Sequence, residues 1–417
     1  MPRCGVALAG VLLLLVVVPW AAAWTKLSSG GLENSVDASP LVLADGKTIV
    51  AYREPTARAV VVSVGGKTKT VAGGLAGVGD PRLVQLPNGT VVLFAADQSG
   101  VVSFTSTNSG ESWSGPNKTG SADTGNVQAA AVRKDGTPLF SQDGTGFLNV
   151  FQGAAGESSH NLFTPCCGYG ESLAVDSHGL AQVAFWSNAS GHGGYLYGKL
   201  SATGALAGGL HTLSSGETVE RADRVPLVAD DSGNTFVSFS NGYPTATTLV
   251  VETLRGGATA HKVTLASGHF SGNEPLLALD VDKRGRLWAV WTQGGSLWGA
   301  RSRSHGAHFG AAVHVALPGS GYDLEAAATP DGSVTAIINH GSALRSQQLL
   351  PGLTVQASSQ GVRVLDDGFP VPGASVHAGG KTVKTDAAGR ANLGTLAHHT
   401  AVSVSAAGYA PASATTP

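Results

Sequence analysis

Apolar and polar residues alternate in short runs along most of the chain, and the runs come in pairs. SPLVLADGKTIVAY around Gly46, PRLVQLPNGTVVLFAA around Gly89, QAAAVRKDGTPLF around Gly136 and ESLAVDSHGLAQVAFW around Gly179 share one plan. Each sets an apolar run, a glycine-bearing turn and a second apolar run. VPLVADDSGNTFVSF around Gly233, PLLALDVDKRGRLWAVW around Gly285 and LEAAATPDGSVTAII around Gly332 continue the series, so the turn glycines recur at steps of 43, 47, 43, 54, 52 and 47. Runs of this length joined by Asp-Gly, Asn-Gly or a close variant predict β-hairpins, because such turns tolerate positive φ. Alternating segments such as GVVSFTST and GSLWGARSRS follow and supply a third and a fourth strand. Four strands at a period between 40 and 50 residues make a propeller blade, and seven copies predict a seven-bladed all-β propeller over residues 24–350. One or two β-sandwiches with evenly spaced hairpins are the competing arrangement.

Composition agrees with stacked blades. Of 417 residues 58 are glycine, about twice the usual share. Charged residues are 13% and hydrophobic ones 42%, with a formal net charge of -2. Coiled coils and disordered chains need far more charge, and nucleic-acid binders need a basic excess; none of these fits. In a propeller most strand residues face another blade rather than water, which accounts for the low charge.

Ser106-Thr107-Asn108-Ser109-Gly110-Glu111-Ser112-Trp113 resembles the Asp-box, S-x-D-x-G-x-x-W, of sialidase-like (Asp-box/BNR) propellers, with Asn108 at the acidic position. Ser302 to Phe309 looks like a more decayed copy, with Ser304 at the acidic position and Phe309 in place of tryptophan. Both fall between the third and fourth strands of their repeats, where that family carries the motif. The box closes a hairpin turn, so the resemblance implies architecture and not catalysis. After Gly352 the period ends. Val364, Asp366, Gly368, Pro370-Val371, Gly373-Ala374, Val376, Thr385-Asp386, Gly389, Leu393 and Gly408-Tyr409 resemble the carboxypeptidase-regulatory-like, transthyretin-like module. The resemblance implies a small accessory β-sandwich over residues 351–417.

The first 23 residues read as a signal peptide. Arg3 is the charged n-region, Gly5 to Val18 the apolar core, and Ala21-Ala22-Ala23 the small-residue cleavage pattern. The alternative is a retained anchor, since Gly5 to Ala23 is just long enough to span a bilayer. Cleavage after Ala23 leaves a secreted, extracellular chain with no membrane segment. Cys166 and Cys167 are then adjacent in an oxidising compartment, and a vicinal disulfide is expected there, either stiffening one loop or serving as an apolar or redox-active platform.

Propellers bind ligands where the loops into the innermost strands converge. Eight to 11 positions before the turn glycine stand Asp37, Asp80, Glu171, Asp223, Glu274 and Asp323, with Asn126 in the third repeat. They form a ring at the channel mouth that could attract calcium or sugar hydroxyls, or else each caps its own strand. No other cofactor is implied. A sialidase-type site also needs an arginine clamp, a tyrosine nucleophile paired with glutamate, and an acid. The resemblance offers Tyr322, Glu220, Arg82, Arg221 and Arg224 for these roles. The family's first arginine is absent: its string is replaced by Asp37-Ala38-Ser39-Pro40, and Arg53 lies one strand too late. Exo-sialidase activity is therefore not expected. Trp186, Trp288, Trp291 and Trp298 either stack on sugars or fill the space between blades. Two readings remain open. One is a monomeric secreted binding or scaffold propeller for a glycan, polymer or protein surface; the other is a glycoside hydrolase of altered specificity.

Overall fold

The structure is a computed structural model describing residues 23–28, 38–54, 58–73, 80–97, 100–120, 127–144, 147–163, 168–214, 224–242, 246–268, 270, 275–321, 323–340 and 343–417. These residues fold as nine four-stranded antiparallel sheets. Seven follow one plan, and their inner strands are Ala38–Val42, Arg82–Gln85, Val127–Val132, Gly168–Val175, Leu227–Ala229, Leu277–Val281 and Asp323–Ala328, heading blades 1 to 7 in that order. Each inner strand contacts that of the next blade, and the seventh contacts the first, so the ring is closed. Blade 7 takes its outermost strand from the start of the chain: Thr25–Lys26 pairs with Ser346 and Arg345, and the Leu27 N–H donates to the Leu344 carbonyl at 2.9 Å. The repeat pattern does not show this step, because the strand is two residues long and far from its partners.

The hairpin turns are built alike. Gly46, Gly89, Gly136, Gly179, Gly233, Gly285 and Gly332 all take positive φ, between 71° and 96°. Each donates its N–H to the carbonyl three residues back, as Gly89 does to Leu86 at 2.9 Å. This is a tight turn finished by a left-handed glycine, which matches the twist of the strands it joins.

Strand alternation sends successive residues to opposite neighbours. In blade 2, Leu83, Val91, Leu93 and Ala95 pack on Ile49, Val60 and Val62 of blade 1. Val84, Val92, Phe94 and Ala96 turn the other way, onto Val127, Phe140 and Phe151 of blade 3. Phe94 and Phe140 meet at 4.6 Å between ring centres. Trp186, Trp288 and Trp291 are fully or almost fully buried in such layers, so they are core residues. Trp298 is partly covered and stacks on His314 at 4.3 Å.

The last two sheets, one with strands Thr354–Ser358 and Gly361–Asp366 and the other with Ser375–Ala378 and Ala401–Ser405, share a core of Val364, Val376, Leu393, Val402 and Val404. The fold is thus a seven-bladed β-propeller followed by a small β-sandwich.

Candidate functional site

The inner strands of blades 3 and 4 are irregular at the channel. Val127 pairs with Gln142 and Ala129 with Ser141, so Gln128 falls in a bulge. A bulge turns a carbonyl out of the ladder. That of Gln128 accepts Arg82 Nε at 2.7 Å and Arg224 Nη2 at 3.2 Å. In blade 4 the register shifts between Tyr169 and Ser172, with Gly170 at φ 62°. The Gly170 carbonyl accepts the N–H of Val225 at 2.7 Å, which fixes the backbone next to Arg224.

Arg224 reaches across from this anchorage. Its Nη1 is ion-paired with Oε1 of Glu325 on the inner strand of blade 7, and the two side chains are only 16% and 14% exposed. Groups from blades 2, 3, 5 and 7 therefore meet through two guanidinium ions. Arg82 is more deeply placed. Its Nη1 donates to the carbonyls of Pro81, at 3.0 Å, and Ala38, at 3.4 Å, so it ties the heads of blades 1, 2 and 3 together. The Leu83 N–H adds a bond to Ser39 Oγ at 2.9 Å. A guanidinium has five N–H donors in a fixed fork, and donors spent on backbone carbonyls are withdrawn from any substrate carboxylate.

Of the expected ring, Asp80, Glu171 and Asp323 are described, and all three are buried. Arg53 Nε lies 4.0 Å from Asp80 Oδ1, so this arginine, although one strand late in sequence, faces the head of blade 2. Asp37, Asn126, Asp223 and Glu274 lie outside the described residues, as do Tyr322, Glu220, Arg221, Cys166, Cys167 and residues 1–22. Among the described residues no group of three or more His, Cys, Asp or Glu side chains is placed to hold a metal ion. Glu325 was missed by the alignment on turn glycines, which selected Asp323. The signal that could have found it is alternation, since Glu325 stands two residues on, on the same side of the strand.

One further carboxyl belongs to the inner strands. Asp280 of blade 6 accepts the N–H of Ala328 in blade 7 at 2.7 Å and that of Val281 at 2.9 Å. The residue is partly covered, and each of its oxygens takes one of these N–H groups. Burial pushes the carboxyl up to about 7, against the lowering by the two N–H bonds, with the charge of Asp282 adding to the rise.

No protein-family model matches the chain, and no curated protein sequence matches it. Solved structures do. The NanB sialidase of Streptococcus pneumoniae has a TM-score of 0.50 at 9% identity over 80% of this chain and 71% of that one. An ulvan lyase of polysaccharide lyase family PL25 has a TM-score of 0.49 at 11% identity, over 78% and 95%. A protein of unknown function from Dyadobacter fermentans has 0.48 at 11%, over 80% and 98%. At these identities the likeness is one of fold, and it rests on the first of the three.

Proposed function

We propose that the chain is an exported, non-catalytic propeller that binds an extracellular glycan, polymer or protein surface at the mouth of its channel. One observation carries this reading: Arg82 and Arg224, the two described candidates for a carboxylate clamp, direct donors to backbone carbonyls and to Glu325. A clamp so engaged offers little to a sialic acid, which agrees with the arginine missing before Ala38. The kinship to sialidases is on this reading one of architecture, and the sandwich is an accessory module of the carboxypeptidase-regulatory-like kind. Export is supported by the leader pattern and is checked by N-terminal sequencing of secreted protein, which should begin at Trp24.

The test is a glycan array run beside a panel of fluorogenic glycosides on the purified full chain. Binding without turnover is expected, unchanged by a calcium chelator. Turnover that disappears in both Glu325→Gln and Tyr322→Phe would overturn the reading in favour of a glycoside hydrolase. That alternative draws its support from the carboxylate of Glu325, three residues beyond the candidate nucleophile.

A further inference from the structure

The two box-like turns can be compared within one molecule. In Ser106–Trp113, Asn108 Oδ1 accepts the Ser112 N–H at 2.9 Å and the Ser106 hydroxyl at 3.0 Å, and Ser106 Oγ accepts the Gly110 N–H at 2.9 Å. Ser109 and Gly110 have φ of 57° and 83°. The turn Ser302–Phe309 has the same skeleton: Gly306 N–H to Ser302 Oγ at 3.0 Å, His308 N–H to Ser304 Oγ at 3.2 Å, and φ of 52° and 76° at His305 and Gly306. Besides Phe309 in place of tryptophan, it differs at the acidic position. Ser304 has only a hydroxyl where the box has a carboxylate or amide, and a carboxylate arrives from elsewhere. Asp367 Oδ2 of the sandwich lies 2.9 Å from Ser304 Oγ and accepts the Arg303 N–H at 2.6 Å, while its Oδ1 meets His308 Nδ1.

We propose that the blade 6 turn is a docking socket for a carboxylate-bearing β-turn, and that Asp366-Asp367-Gly368 of the sandwich is its resident occupant, supplying the acid that the turn's own sequence lacks. The whole inserted turn is engaged. Asp366 Oδ2 accepts Arg301 Nη2 at 2.5 Å, Tyr409 Oη at 3.2 Å and Arg303 Nη1 at 3.4 Å. The Arg303 guanidinium lies 4.6 Å over the Phe369 ring. The side chains of Asp366 and Asp367 are 1% and 0% exposed. The approach is close at position 310, where a Cβ in place of glycine would come 3.1 Å from the Asp367 nitrogen and 3.3 Å from Asp366 Oδ1. The linker also lies close on blade 6, where a Cβ on Gly352 would come 2.3 Å from the Ala311 carbonyl oxygen. A cavity of about 850 Å3, lined by Phe309, Trp298, His314, Leu353 and Ala412, separates the sandwich from blades 5 and 6.

The position of the socket has a functional consequence. Arg301 also donates to the carbonyl of Gly332, a turn glycine of blade 7, at 2.7 Å. The socket thus lies on the face of the hairpin turns, opposite the face where Arg224 meets Glu325. The sandwich is fixed where it leaves the channel mouth open, and it is not a freely swinging spacer.

The test uses the full chain and reads protease cleavage at Leu350–Leu353 together with differential scanning calorimetry. Asp367→Ala should speed cleavage about 10- to 100-fold, the effect of losing hydrogen bonds to a charged group on the open population. It should also split one thermal transition into two. The turn keeps a second anchor, His305 Nδ1 at 2.8 Å from Asp230 Oδ2, so blade 6 should still fold. If Asp367→Ala does not fold, Asp367→Asn is measured in the same way. Adding Ser304→Asp to the Asp367 variant should raise the propeller transition again while cleavage stays fast, which separates completing the turn from docking the sandwich. Cleavage within about twofold of wild type in Asp367→Ala and Asp366→Asn would overturn the docking role. Failure of Ser304→Asp to raise the propeller transition would overturn the supply of the missing acid.

Discussion

Arg224, just ahead of the inner strand of blade 5, and Glu325, on that of blade 7, form an ion pair between blades that are not neighbours. A pair this well covered is costly to break from one side, because the remaining charge is left without its partner. Arg224→Ala should lower stability by about 3 kcal/mol, and Arg224→Met with Glu325→Leu by much less. Urea denaturation checks both. Equal losses in the single and double variants would show that the pair is not the source of the effect.

Arg82 ties three blade heads by donating to carbonyls from two nitrogens of its planar fork, Nε and Nη1, a spread that the single ammonium nitrogen of a lysine does not reproduce. Arg82→Lys should cost about 1–3 kcal/mol in unfolding free energy and leave ligand affinity of the folded protein unchanged. A large loss of affinity at full stability would instead make Arg82 a ligand residue.

Asp280 gives the fold a pH dependence of definite sign. Its folded pKa, about 7, lies above the ordinary 3.8, so the folded chain holds the extra proton between these values. The stabilisation is full below about 4 and is lost as pH rises through 7. The melting temperature should fall between pH 5 and pH 8, and Asp280→Asn should flatten that slope. An unchanged slope in the variant would show that another group titrates.

Gly89 and Gly332 occupy equivalent turns in different surroundings. A Cβ on Gly89 would meet nothing within 4 Å, so Gly89→Ala should cost only the left-handed backbone penalty of about 1–2 kcal/mol. At Gly332 the Cβ would stand 2.3 Å and 2.5 Å from Nη1 of Arg286 and Arg301, and Arg301 is buried. Calorimetry should show the larger loss for Gly332→Ala.

Blade 7 is completed by a short strand from the start of the chain. Leu27→Pro removes the N–H that bonds Leu344 and should lower stability by about 1–3 kcal/mol. An unchanged melting temperature would mean that blade 7 does not depend on this strand.

The blades and their number can be read along the chain. The hairpin is a local object: a left-handed glycine between two alternating runs is written within about 15 residues, so Gly46 to Gly332 marked all seven turns. The alternation left the tryptophans open between sugar stacking and the space between blades, and only packing against the neighbouring blade buries Trp186, Trp288 and Trp291. Contacts between distant segments have no such local mark. Thr25–Lys26 has no pattern of its own and becomes a strand through the free edge at Arg345 and Ser346. Glu325 reaches Arg224 because a ring brings blades 5 and 7 around one axis, and Gln128 serves two arginines because a bulge frees its carbonyl. The decayed turn at Ser304 looked incomplete as a string, and its missing acid stood 63 residues away at Asp367. Such pairings are set by closure and docking, whose free energy comes from surfaces that meet only when the whole ring has formed.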